Sequence, residues 1–187
     1  MKHYVTLFKD TWEPEYCQMI IDRFEKNTDQ HVDTFLEGHR HFTEITISQF
    51  PDWQDVHDRM LDDVQRALVP YKQQHEIDDK DWPEKIGFEM FRMKRYEPNG
   101  KDEFAHHVDV GDYQSARRFL VFFWYLNTVT EGGETTFEYN KNHTPWLTVN
   151  PNQGNLLMFP PLWTHGHTGH KPISGNKYII GGYLHYV

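Results

Sequence analysis

Arg118-Phe119-Leu120-Val121-Phe122-Phe123-Trp124-Tyr125-Leu126 is apolar or aromatic at every position after its first, so neither parity of a pleat offers a polar face. A run with that pattern reads as a strand buried on both sides. Its aromatic and β-branched content suits a sheet interior. Outward from it, seven further short runs read as strands: Phe88–Tyr96, Glu103–Asp109, Thr135–Tyr139, Trp146–Val149, Asn155–Phe159, Thr164–Thr168 and Tyr178–Tyr186. Glu97-Pro98-Asn99-Gly100, Gly132-Gly133, Asn150-Pro151-Asn152 and Ser174-Gly175-Asn176 punctuate them as turns. Eight short strands in this arrangement predict a double-stranded β-helix, or jelly roll.

The N-terminal half has a different period. Val5 to Phe8 reads as a short strand, and Thr11, Glu13 and Pro14 signal a helix that carries Tyr16, Met19, Ile20 and Phe24 and ends by about Asn27. Thr28 to His41 is polar and contains Gly38, which predicts a loop, with a strand at Phe42 to Ile47. From Trp53, the residues Val56, Met60, Leu61, Val64, Leu68 and Tyr71 recur three and four apart and predict a long amphipathic helix. A charged linker from His75 to Lys85 follows. The expected class is α+β, mainly β. Residues 1–187 are expected to form a single domain, in which 1–85 support a jelly-roll core at 86–187.

Bulk properties narrow the function. A chain of 187 residues suffices for one sizeable core and is short for two enzyme domains. A net charge of −9 without a basic run argues against a nucleic-acid partner. Neither an apolar signal region nor a run of about 18 apolar residues is present, which predicts a soluble, cytoplasmic protein without a membrane partner. The single cysteine, Cys17, excludes an internal disulfide, fits a reducing compartment and is expected to pack inside the first helix.

Two His-x-Asp triplets occur, His31-Val32-Asp33 and His107-Val108-Asp109. The first falls in the polar segment before the long helix. The second ends a predicted strand, where residues two apart share a face and both heads can reach one metal. A third ligand would come from a strand brought alongside, and His165 and His167 are equal candidates by parity. Two imidazoles, one carboxylate and open positions suit iron(II), whereas structural zinc sites close their coordination, usually with cysteines.

The pattern extends further. Tyr96, Gly100 and Phe104-x-x-His107-x-Asp109 are followed by Arg118, Tyr125-Leu126-Asn127, Glu131-Gly132-Gly133-Glu134-Thr135 and Phe137. Phe159-Pro160, His167, Pro172, Gly175 and Lys177 complete it. Over roughly residues 86–187 this resembles the catalytic domain of the prolyl 4-hydroxylase-like dioxygenases, which depend on iron(II) and 2-oxoglutarate. The resemblance implies that His107, Asp109 and His167 are the catalytic iron ligands and that Lys177 pairs with the far carboxylate of 2-oxoglutarate. Tyr96 and Tyr125 match tyrosines that line the co-substrate pocket. Arg118 matches an arginine near the mouth, although its parity differs from Tyr125 and a bulge would be needed. If Tyr96 faces inward, Lys94, Arg92 and Met90 share its face, making Arg92 a candidate for a substrate carboxylate, the alternative being a solvent-facing strand end. His106 and His170 read as exposed neighbours or as donors behind the ligands.

The implied activity is hydroxylation of an unactivated C–H bond with O2, yielding succinate and CO2, with ascorbate as an accessory reductant. Asp109 argues for hydroxylation, since halogenases of this type carry a small residue there. The implied substrate is a prolyl residue in a peptide or protein, or a free amino acid. Its mouth is expected to be shaped by Thr28–His41, the turn Val110–Ala116 and Trp163. The competing reading is a non-catalytic, cupin-like jelly roll that binds a metal or none. A nucleobase demethylase with the same iron chemistry is disfavoured by the charge.

Overall fold

The computed structural model describes residues 3–139 and 144–187. In chain order these form β1 (Thr6–Phe8), α1 (Pro14–Lys26), β2 (Val32–Leu36), β3 (Arg40–Thr46), α2 (Gln54–His75), β4 (Ile86–Phe88) and β5 (Arg92–Tyr96). There follow β6 (Glu103–His107), β7 (Arg118–Tyr125), β8 (Thr135–Tyr139), β9 (Thr144–Val149), β10 (Leu156–Phe159), β11 (His167–Gly169) and β12 (Lys177–Tyr186). Among the described residues no helix is long and apolar enough to cross a membrane.

Strand order is β1-β10-β7-β12-β5-β3-β6-β11-β8-β9, with β2 on β3 and β4 on β12, and every pair is antiparallel. The eight strands β5 to β12 make the two four-stranded halves of a jelly roll, β10-β7-β12-β5 and β6-β11-β8-β9. β3 joins the halves on one side by pairing with both β5 and β6. The described strands outnumber the eight of the expected jelly roll because β1, β2, β3 and β4 add to it.

β7 is the central strand that its apolar run predicts, and its two parities serve two cores. Leu120, Phe122, Trp124 and the following Leu126 face the helices, packing with Trp12, Ile20, Phe24, Trp53, Val56 and Met60. Trp124 stacks on Trp12 with centroids 4.1 Å apart and donates from its indole to Thr11 Oγ1. Val121, Phe123 and Tyr125 instead face the barrel interior with Phe137, Leu157 and Phe159. Pro14 opens α1 at the position where its missing N–H costs nothing. α2 buries Val56, Met60, Val64, Leu68 and Tyr71, the spacing that predicted it. Cys17 is buried in α1.

Three expectations need correction. Thr28–His41 is not a loop throughout: after a 3-10 turn at Thr28–Gln30 it forms β2, paired with β3 from Val32↔Glu44 to Leu36↔Arg40. Val32, Phe35 and Leu36 are all exposed, so β2 has no buried face from which alternation could be read. The run Phe88–Tyr96 is two strands interrupted at Glu89-Met90-Phe91, where Glu89 N still donates to Tyr183 O of β12 but Phe91 N turns to Ser48 Oγ. Phe91 turns fully into the helix-side core, its ring lying where a Cβ on Gly182 would stand 2.9 Å from Cδ1. Thr164–Thr168 begins as a 3-10 turn at Trp163–His165, closed by His165 N donating to Leu162 O, and only then becomes β11.

Candidate functional site

β6 and β11 run antiparallel with His107 directly opposite His167, so two imidazoles face each other across one ladder rung. Asp109, two residues beyond His107, completes a cluster whose three ligand atoms lie within 4.8 Å of one another. His107 Nε2 is 3.8 Å from Asp109 Oδ1, and His167 Nε2 is 3.6 Å from Asp109 Oδ2.

The tautomers are set by the backbone. His107 Nδ1 donates to Ala105 O at 2.8 Å and His167 Nδ1 to His165 O at 3.0 Å, so both Nε2 lone pairs point into the site. Burial, with His167 alongside, keeps the His107 imidazole neutral by lowering its pKa well below the ordinary value. Phe104 stacks on His107 at 3.5 Å and 8°, holding the ring plane. Asp109 Oδ1 accepts from Tyr183 Oη at 2.6 Å, and the Asp109 carbonyl accepts from Arg118 Nη1 at 2.8 Å. Asp109 Oδ2 is buried and has no hydrogen-bond partner among the described residues.

An orphaned carboxylate oxygen 3.6 Å from one bare imidazole nitrogen, with a second imidazole nitrogen in the same cluster, costs free energy unless something positive fills the gap. The donor set of two nitrogens and one oxygen, with the remaining side open to a cavity, fits iron(II).

The cavity beyond the triad is lined by Tyr96, Val121, Phe123, Thr135, Ile179 and Lys177, among others. Lys177 opens β12 opposite Tyr96 and is only 2% exposed. Asn127 clamps the chain on both sides of it, donating to Asn176 O and accepting from Tyr178 N. Its ammonium lies 5.4 Å from the Tyr96 ring and 5.7 Å from the Tyr125 ring. No carboxylate among the described residues forms an ion pair with it. Desolvation therefore pulls its pKa down to about 7, against a weaker opposing pull from Glu134. Tyr125, expected to line the co-substrate pocket, is fully buried behind it and is not among the lining residues; its hydroxyl donates at 2.8 Å to Oγ1 of Thr135, which is one of them. Burial raises the pKa of both tyrosines, which keeps them neutral.

The remaining sequence candidates fall in distinct places. Arg92 faces the cleft beside the triad, on the same side as Lys94 and Met90. Arg118 reaches the site because of a bulge: Leu184 pairs with Leu120 but His185 with Arg118. There it forks onto Glu89 through Nε and Nη2, so it braces Asp109 rather than presenting a free guanidinium. Trp163 is 68% exposed and lies outside the residues lining the cavity and cleft. His165 has both ring nitrogens engaged, with Thr164 Oγ1 and with His3 O. His106 points the other way along β6, to Glu138 Oε2, and His170 contacts Thr136 Oγ1. Tyr183 escaped the sequence reading, although it lies six residues beyond Lys177 and so shares its parity along β12. Lys94, on the same face of β5 as Tyr96, lines both the cavity and the cleft.

A family model described as the 2OG-Fe(II) oxygenase superfamily matches residues 91–185. No curated protein matches the sequence. Among solved structures, the fold is similar to viral collagen prolyl hydroxylase from Paramecium Bursaria Chlorella virus-1 in complex with 2OG. That match has a TM-score of 0.69 and 21% identity, covering 98% of this chain and 97% of that one. A Pseudomonas putida prolyl-4-hydroxylase matches with a TM-score of 0.69 and 14% identity over 100% of this chain and 94% of that chain. A Trichoplax adhaerens prolyl hydroxylase, in complex with a hypoxia inducible factor oxygen degradation domain peptide fragment, matches with a TM-score of 0.75 and 14% identity. It covers 98% of this chain and 84% of that chain.

Proposed function

Because this chain belongs to the 2OG-Fe(II) oxygenase superfamily, a family of enzymes working with iron(II), 2-oxoglutarate and O2, we propose that it hydroxylates an unactivated C–H bond of a prolyl substrate, peptidyl or free. In this reading His107, Asp109 and His167 hold the iron and Lys177 receives the far carboxylate of 2-oxoglutarate. Bound together, iron(II) and 2-oxoglutarate supply the oxidative chemistry, one oxygen atom of O2 entering succinate and the other the product as CO2 leaves.

The chain's own contribution is positioning. The Tyr183 hydroxyl donates to Asp109 Oδ1, so that Oδ2 is the oxygen that would be available to hold the metal. Arg118, held by Glu89, fixes the backbone of Asp109. Lys177 offers a point charge in a dry pocket, where a carboxylate partner is worth more than in water. Val121, Phe123 and Ile179 line the wall between triad and lysine and exclude water.

The observation that carries this reading is the buried, unpaired Lys177 ammonium in the same cavity as the unpaired Asp109 Oδ2. A metal-holding protein without catalysis needs no such cation. The structural neighbours, two of them prolyl hydroxylases and one a collagen prolyl hydroxylase, support a prolyl substrate. The peptide in the Trichoplax complex supports a peptidyl one.

The test is anaerobic titration of iron(II)-loaded protein with 2-oxoglutarate, followed by succinate release in the presence of prolyl peptides and of free L-proline. A visible charge-transfer band and prolyl-stimulated succinate are expected. Absence of the band in folded, iron-loaded protein would overturn the co-substrate assignment. A band with no response to any prolyl compound would overturn the substrate.

A further inference from the structure

A cleft of about 610 Å³ opens beside the triad. The acids that line it are already engaged. Glu89 is paired with Arg118, Asp112 accepts from the Ser115 backbone and hydroxyl, and Asp109 belongs to the triad. The cations are not engaged in this way. Arg40, Arg92 and Lys94 line the same cleft, and among the described residues none of them has a carboxylate within ion-pair distance. The acid opposite Lys94 across the β3–β5 ladder, Glu44, accepts instead from Thr34 Oγ1. Arg40, Arg92 and Lys94 thus face one cleft without an ion-pair partner among the described residues, Glu44 and Asp109 acting on Lys94 only as more distant charges, and in a chain of net charge −9 they form a local positive field beside the triad.

2-Oxoglutarate does not account for this field. Along β5 the cleft-side positions are Tyr96, Lys94 and Arg92, opposite Lys177, Ile179 and Gly181 of β12. Arg92 is thus four residues from the level of Lys177, roughly 13 Å along the strand. One carboxylate cannot meet both. The field nevertheless adjoins the reacting centre. The Lys94 ammonium lies 5.3 Å and the Arg40 guanidinium 5.9 Å from the ring of Phe104, which itself stacks on His107.

We propose that the substrate carries a carboxylate, received by the Arg92 guanidinium with Lys94 and Arg40 alongside, while its reacting carbon faces the triad. This rests on the iron and 2-oxoglutarate reading of the site. A planar guanidinium receives a carboxylate through two parallel hydrogen bonds and so fixes orientation as well as affinity. The carboxylate belongs either to a free amino acid or to an acidic residue next to the target in a peptide.

The experiment uses the manganese(II)-loaded protein saturated with 2-oxoglutarate, which fills the Lys177 site, and reads paramagnetic relaxation of added ligands. Acetate against acetamide tests the charge. L-Proline against L-prolinamide represents the free acid, and acetyl-Glu-Pro-Gly-amide against its Gln counterpart represents the acidic peptide. The acid of a pair is expected to be relaxed at least about fivefold more than its amide, in keeping with a charge-assisted bidentate contact. Whichever of the last two pairs shows the larger preference identifies the source. Arg92→Met is expected to abolish the preference, and Arg92→Lys, which keeps the charge, to retain part of it, separating lost charge from lost fold. Equal relaxation within all pairs, or a preference that survives Arg92→Met, overturns the proposal. The charge-transfer band of the iron(II) protein separates the levels. With the band present, those outcomes remove the carboxylate alone, and without it the co-substrate reading falls and the proposal with it.

Discussion

His31-Val32-Asp33 and His107-Val108-Asp109 carry the same three residue types in the same order, and the fold treats them oppositely. His31 Nε2 donates to Phe24 O while its ring packs on Phe24, and Asp33 Oδ1 accepts from Thr43 Oγ1. β2, which begins at Val32, pairs among the described strands with β3 alone. The second triplet lies where β6 meets β11, so His167, the proposed third ligand, stands across the rung and a phenyl ring holds the His107 imidazole. The comparison teaches that a ligand pair becomes a metal site through the strand paired with it and the burial around it.

The sharpest way to break the comparison is to delete ligands from each triplet. His167→Ala is expected to reduce bound iron(II) to near background and succinate formation at least about 100-fold. His31→Ala and Asp33→Ala are expected to leave iron content unchanged, as read by metal analysis of purified protein. Iron loss in the latter pair would remove the distinction.

Lys177→Ala comes next. Loss of a charge-assisted contact of roughly 1.5–3 kcal/mol raises the 2-oxoglutarate Kd by about one to two orders of magnitude, measured by titration of the charge-transfer band. Lys177 also predicts a pH dependence. Its pKa in the ligand-free protein lies near 7, and the bound carboxylate stabilises the ammonium, so binding takes up a proton above that value. Affinity is therefore flat below pH 7 and falls by up to about tenfold per pH unit above it. Calorimetry at pH 8 in two buffers of different ionisation enthalpy measures the uptake directly, and no buffer dependence would contradict it.

A subtler break is Tyr183→Phe, which removes the 2.6 Å hydrogen bond to Asp109. The expected loss is about tenfold in iron affinity with the fold intact, in line with other outer partners of metal ligands. The smallest effect belongs to His165→Ala. It spares iron binding and costs about 1 kcal/mol of stability, since the His165 ring bonds Thr164 and the His3 carbonyl and packs edge-on against Trp146. Thermal denaturation of apo and iron-loaded protein separates these two outcomes.

Where a buried strand declared itself, legibility was high. β7 reads on both parities because both of its faces are covered, and α2 reads at helical spacing because only one of its faces is. β2 could not be read, since its apolar residues face solvent and its existence depends on β3. The break at Glu89-Met90-Phe91 was hidden for a related reason. Phe91 leaves the ladder to fill space beside Gly182 and Phe122, residues some ninety and thirty positions away. At the site, His107 and Asp109 shared a face by alternation alone, but the choice between His165 and His167 was a tie by parity until the 3-10 turn at Trp163–His165 took His165 out of the strand.

By itself the amino-acid sequence determined which chemistry the protein carries and on which parity each donor lies, because alternation along a strand is a local property of the backbone. Only the tertiary structure decided which donors meet. The β6–β11 rung that faces His167 to His107, the burial that leaves Lys177 without a counter-ion, and the bulge that swings Arg118 onto Asp109 all join residues far apart in the chain. Strand pairing and desolvation are non-local quantities, and no period within one strand encodes its neighbour.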